Sequence, residues 1–177
     1  MREEEKKKTV AAEAQALAKN AKELCDAGRA EEAWGIAERL LGTYPHSANP
    51  VILASYVAWK LKRYPLAYQL GLRGTAIAPQ ESTAWINLGM AAQEMWMIDE
   101  AELCYKSGAR LAKDAPEKAM AHMDLAALYV DTGRFKEAEV AARLAVKWAA
   151  ALIAELDRVP ATMTTNVMPS SYMPHID

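Results

Sequence analysis

The chain has 177 residues, a formal net charge of −2 and a 52% hydrophobic share. That length favours one domain or one short repeat array, and the apolar share is enough for a sizeable core. The small net charge excludes a global field that would draw the chain to nucleic acid or an anionic membrane. Eight Gly and eight Pro are too few for a turn-rich sandwich.

The chain opens with MREEEKKK, in which Glu3 and Glu4 stand four residues before Lys7 and Lys8. Such pairs support a helix, so residues 1–13 are expected to form a charged helical or frayed extension. A secretory leader would need an apolar core here, and none is present. From residue 14 the apolar residues recur at helical spacing, broken by turn signals such as Asp26-Ala27-Gly28 and Asp131-Thr132-Gly133. Four helix pairs are expected, over 14–47, 48–81, 82–118 and 119–158. The longest apolar run, Trp148 to Ala154, falls far short of the roughly 20 residues that span a bilayer. Residues 159–177 are nearly uncharged and carry Pro160, Pro169 and Pro174 among apolar side chains.

The segments repeat one another. Aligning Leu88-Gly89 with Leu125-Ala126 also aligns Ala101 with Ala138 and Gly108 with Ala145. Run backward, the template finds Ala67 and Ala33, so the four alanines stand 34, 34 and 37 residues apart. The three extra residues fall around Lys113–Pro116, where a loop tolerates insertion. This register resembles the tetratricopeptide repeat: Trp85, Leu88 and Gly89 in the third unit, and Leu125, Ala126, Tyr129, Gly133, Phe135 and Ala138 in the fourth. Gly28, Ala33 and Pro45 match in the first, and Ala67 and Pro79 in the second. The resemblance covers residues 14 to 151 and departs at Val51, at Lys62 and at Trp96, which stand where the repeat has an aromatic residue and a turn glycine. It implies an all-α solenoid of four helix-turn-helix repeats. Physics agrees, since a helix pair with one apolar face must stack on another to bury it.

The resemblance further implies a concave groove lined by the first helix of each pair. Carried onto this sequence, the groove includes Lys22, Ile52, Tyr56, Trp59, Ile86, Asn87, Met90, Gln93, Met120 and Met123. Its middle is apolar, aromatic and Met-bearing, which suits a peptide or helix with hydrophobic anchors. The alternative is that several of these residues are inter-repeat core. The basic clamp by which some family members hold an acidic chaperone C-terminus is missing, because Ala18, Lys22, Leu53, Thr83 and Asn87 occupy its positions. The segment Trp148–Ala154 has no polar face and needs a cover. Trp148, Leu152, Ile153, Met168, Tyr172 and Met173 are therefore candidate assembly contacts, within one chain or between copies.

No metal-ligand spacing, phosphate loop or nucleophile motif occurs, so no metal, cofactor or enzyme activity is expected. His122 falls at a packing position of the repeat. Lys60, Lys62, Arg63 and Arg73 form the one basic cluster and read as a solvated helix end, and no nucleic-acid or membrane partner is expected. Cys25 and Cys104 sit inside helical patterns and read as buried thiols of a cytoplasmic protein. The sequence thus points to a non-catalytic protein-binding adaptor or assembly factor. Two alternatives stay open: a permanent subunit of a larger assembly, and a cytoplasmic chaperone similar in architecture to those of type III secretion translocators.

Overall fold

A computed structural model describes residues 2–156, with side chains described for 12–154. The described residues form eight helices and no strand: α1 (Arg2–Asp26), α2 (Ala30–Thr43), α3 (Ala48–Lys60), α4 (Tyr64–Ile77), α5 (Ser82–Glu94), α6 (Ile98–Leu111), α7 (Ala115–Asp131) and α8 (Phe135–Leu156). Consecutive helices pack as pairs, α1 with α2 through to α7 with α8, and each pair stacks on the next. This is the expected α-solenoid, and α1 runs on through the charged N-terminal residues.

The turn inside each pair is the same structure four times. Gly28, Lys62, Trp96 and Gly133 all take positive φ, at 77°, 58°, 60° and 72°. The residue after each donates its N–H to a carbonyl five residues back: Arg29 to Leu24, Arg63 to Ala58, Met97 to Ala92 and Arg134 to Tyr129, at 2.7 to 2.9 Å. That is the left-handed C-terminal cap, which satisfies carbonyls the helix leaves open. The two departures from glycine in the sequence therefore sit in the same backbone conformation as the glycines.

The three inserted residues are not in a loop, contrary to the sequence expectation. They lengthen the first turn of α7. Asp114 caps that helix by accepting the Glu117 N–H at 2.9 Å, and Glu117 reaches back to accept the Lys113 N–H at 3.0 Å. Pro116 sits in the first turn, where its missing N–H costs nothing. The cap and the proline start the helix one turn early.

Two apolar clusters fill the interior, one in the first two repeats and reaching Ala91 of the third, the other in the last two, with Tyr68 packed against both. Small residues let the helices close: Ala21, Ala33, Ala67, Ala101 and Ala121 are fully buried. Buried hydroxyls are satisfied, Ser55 donating to the Ala67 carbonyl at 2.9 Å and Ser82 to the Gly108 carbonyl at 3.1 Å. Between repeats, Arg63 meets Glu31 at 3.2 Å, and Tyr68 donates to Glu100 at 2.7 Å. Glu102 accepts from Arg134, Lys106 and Tyr129 together, and the Arg134 bond above all holds its carboxyl down at about 2.

Candidate partner-binding surface

The contacts between pairs fix the curvature. Among the described residues, α1 touches α3, α3 touches α5 and α5 touches α7, whereas α2, α4, α6 and α8 do not approach one another. The odd helices therefore line the inner, concave side and the even helices splay outside. The surface in question is what the odd helices turn inward.

Its centre is Tyr56 on α3 and Met90 on α5, at the same repeat position and both half-buried. The Tyr56 ring stacks on Trp59 at 6.3 Å between centroids, and the Lys60 ammonium lies over both rings at 5.4 and 5.6 Å. The Tyr56 hydroxyl donates to Asp26 on α1 at 3.2 Å. Burial, then the Asp26 charge, pushes that phenol well above the ordinary tyrosine range. On the next joint, the Tyr105 hydroxyl donates to Gln93 Oε1 and Gln93 Nε2 donates to Asp131, each at 2.9 Å. The Tyr56–Asp26 and Gln93–Asp131 bonds cross from one odd helix to the next, and the Tyr105 bond ties α6 to Gln93 beneath them. The Trp59 indole N–H is buried without a partner.

The structure therefore brings Tyr56, Trp59, Met90 and Gln93 to one face, with Lys22 exposed beside them on α1. Three other expected groove residues are inside the protein. Ile52 and Ile86 are buried because the next odd helix lies over each, and Ile86 also packs against Gly108. Asn87 is buried between repeats and donates to the Ile52 carbonyl at 3.0 Å. They hold repeats together and offer no surface to a partner. Met123 is displaced for the complementary reason. It occupies the repeat position of Ile86, yet it is 61% exposed where Ile86 is 1% exposed, because no further helix among the described residues covers it. Met120 is exposed on the same helix.

Sequence reasoning missed Val130, exposed on α7 at the position of Gln93, and Trp96, 78% exposed at its turn. The 37-residue step of the last repeat was the available signal for the first. Of the residues expected as assembly contacts, Trp148 and Leu152 are half-buried and Ile153 is exposed. Lys118 and Lys147 flank the Trp148 ring, at 4.4 and 5.8 Å from its centroid. Met168, Tyr172 and Met173 lie outside the described residues. A separate groove of about 570 Å³ opens on the outer side between α6 and α8, floored by His122, Leu125 and Tyr129. Cys25 and Cys104 are buried and unpaired, and burial pushes the Cys104 thiol up to about 12. Among the described residues no His, Cys, Asp or Glu cluster could hold a metal ion, and no helix is long and apolar enough to cross a membrane.

Repeat register, turn and stacking together define a tetratricopeptide-type solenoid. Solved structures of the same shape include MamA from Desulfovibrio magneticus RS-1, at 20% identity and TM-score 0.63 over 78% of this chain and 76% of that one. A second MamA crystal structure matches at 18% identity and TM-score 0.63 over 84% and 86%. An O-GlcNAc transferase mutant of Thermobaculum terrenum matches at 23% identity and TM-score 0.61, over 67% of this chain but 22% of the transferase. At these identities the likeness is one of fold. No family model and no curated protein sequence matches the chain.

Proposed function

We propose that this chain is a non-catalytic protein-interaction module that holds a peptide or helix of a partner protein in its concave face. The observation that supports this is the inward row of the odd helices, where Tyr56, Trp59 and Met90 offer apolar and aromatic surface on a hydrogen-bonded floor. Rigid aromatics and an adaptable methionine side by side are what an anchoring side chain needs. We place this work in the cytoplasm, a reading that two buried, unpaired cysteines support.

The test is affinity capture with the wild type beside the double variant Tyr56→Asp, Met90→Asp, matched by circular dichroism. Loss of the captured set in the variant is the expected result. Identical sets from both proteins would overturn the groove as the binding surface.

A further inference from the structure

We propose that the C-terminal end of the solenoid is a homodimer interface, in which the α7–α8 face of one copy packs on the same face of a second across a two-fold axis. This face is distinct from the concave one and does not depend on the groove reading.

The molecule supplies its own standard for what such a face needs. In the third repeat, α7 lies across α5 and α6; Ile86, Tyr105 and Ala112 are buried there, and Ile98 and Ala109 pack into the core cluster. One repeat later the same positions are Met123, Ala142, Ala149, Phe135 and Val146, and all five are exposed, Phe135 to 69%. On α8 the row runs Phe135, Ala142, Val146, Ala149, Ile153, recurring at i, i+7, i+11, i+14 and i+18, which is a single stripe of a helix. The apolar character of an internal joint has been kept at a place where the described residues provide no neighbour. A patch of that kind marks an interface.

The other end of the solenoid is different, and this selects the partner. Inner repeats bury three joint positions on the odd helix: Pro50, Ala54 and Val57 in the second, and Ala84, Leu88 and Ala91 in the third. In the first repeat these positions are Ala16, Asn20 and Glu23, all exposed, with Glu23 paired to Lys19 at 3.8 Å. The N-terminal end is thus a polar cap, as solenoid ends require. Head-to-tail stacking would bury that charge against apolar surface at a desolvation cost.

What remains complementary to the face is the face itself. Its centre is small (Ala142, Val146, Ala149) and its ends are large (Phe135, Ile153), so two antiparallel α8 helices approach closely in the middle. That crossing sets Phe135 of one copy against Ile153 of the other. The nearest charges, Glu139 and Arg143, bond to each other at 2.6 Å on the flank, so no like charges are forced together. Such an isologous contact closes at two copies.

Sedimentation velocity of the full chain across a concentration series tests this. A monomer–dimer equilibrium is expected for the wild type. The double variant Ala142→Glu, Val146→Glu should weaken association about a hundredfold or more with unchanged helicity, since both sites are exposed in the protomer. An Ala142→Cys chain mixed with a Val146→Cys chain should form an intermolecular disulfide under mild oxidation, because that crossing sets Ala142 of one copy against Val146 of the other while Cys25 and Cys104 are buried. A wild type that stays monomeric at every concentration overturns the proposal. So does a dimer that survives both glutamates, or growth into chains longer than two.

Discussion

Repeats three and four share one register and one turn conformation but solve their packing in opposite ways. In the third, Tyr105 of α6 fills the space over Gly89 of α5, and an added Cβ at Gly89 would stand 2.8 Å from the ring. In the fourth, the same two positions are Ala142 and Ala126. Likewise Gly108 faces Ile86 so closely that a Cβ would lie 2.7 Å from its Cγ1, where the fourth repeat has Ala145 and Met123. The polar joint also changes. Asn87 donates to the carbonyl of the preceding repeat, while Asp124 at the same position has a buried Oδ2 without a partner. Even the turn differs, with Trp96 where the fourth repeat has Gly133. The repeat therefore specifies volumes and donors in matched pairs, not residues one at a time. The third repeat is sealed on both sides by neighbours; among the described residues the fourth has a neighbour on one side alone.

The largest effect should come from breaking the first matched pair. Tyr105→Ala leaves a cavity beside Gly89 and should cost about 3 to 5 kcal/mol in chemical denaturation. Gly89→Ala alone should cost about 1 to 2 kcal/mol, the overpacking against the ring outweighing the gain in helix propensity. Combined with Tyr105→Ala, which recreates the alanine pair of the fourth repeat, the Gly89 change should become favourable by roughly 0.5 to 1 kcal/mol. A cycle in which the two effects simply add would show that the pairing carries no information.

The polar joint comes next. Burial raises the Asp124 carboxyl from 3.8 to about 6, so the folded chain keeps a proton that the unfolded chain releases. The stabilisation tied to that proton is complete below pH 3.8 and is lost as pH rises through 6. Asp124→Asn supplies a permanent donor like Asn87 and should stabilise the fold by on the order of 2 kcal/mol at pH 8, shrinking towards nothing near pH 4. The difference between variant and wild type is the readout, because burial lowers the neighbouring His122 pKa and tilts the raw profile the other way. Glu102, held near 2 against an ordinary 4.5, adds stability that is present above pH 4.5 and falls away below it, but it is common to both proteins and cancels in the difference. A difference that does not change with pH would remove Asp124 from the account.

The helix pairs, their register and the buried alanines were legible in the sequence because periodicity and small-residue spacing are local signals. The groove was legible in part. Tyr56, Trp59, Met90 and Gln93 fall where the repeat pattern puts them. Ile52, Ile86 and Asn87 do not reach the surface, because their burial depends on the following helix, which a pattern within one repeat does not contain. The same blindness hid the open end: Met123 reads like Ile86 until one asks what lies over it. The start of α7 was misplaced because Asp114 and Pro116 look like loop residues, although they are also the residues that begin a helix.

The smallest effect concerns the turns, and it separates backbone strain from side-chain role. Trp96 holds φ at 60°, a conformation that costs a residue with a Cβ roughly 1 kcal/mol relative to glycine. Its ring is mostly in solvent, so removing it forfeits little burial. Trp96→Gly should therefore stabilise the chain by about 1 kcal/mol, and Gly133→Ala should destabilise it by a similar amount. Both changes leave the cap hydrogen bonds of Met97 and Arg134 in place, so helicity should not move. If Trp96→Gly fails to stabilise, the ring makes a contact that offsets the strain. If it stabilises and also weakens capture of a partner, then a residue held against its backbone preference is kept for binding, at the edge where α5 hands over to α6.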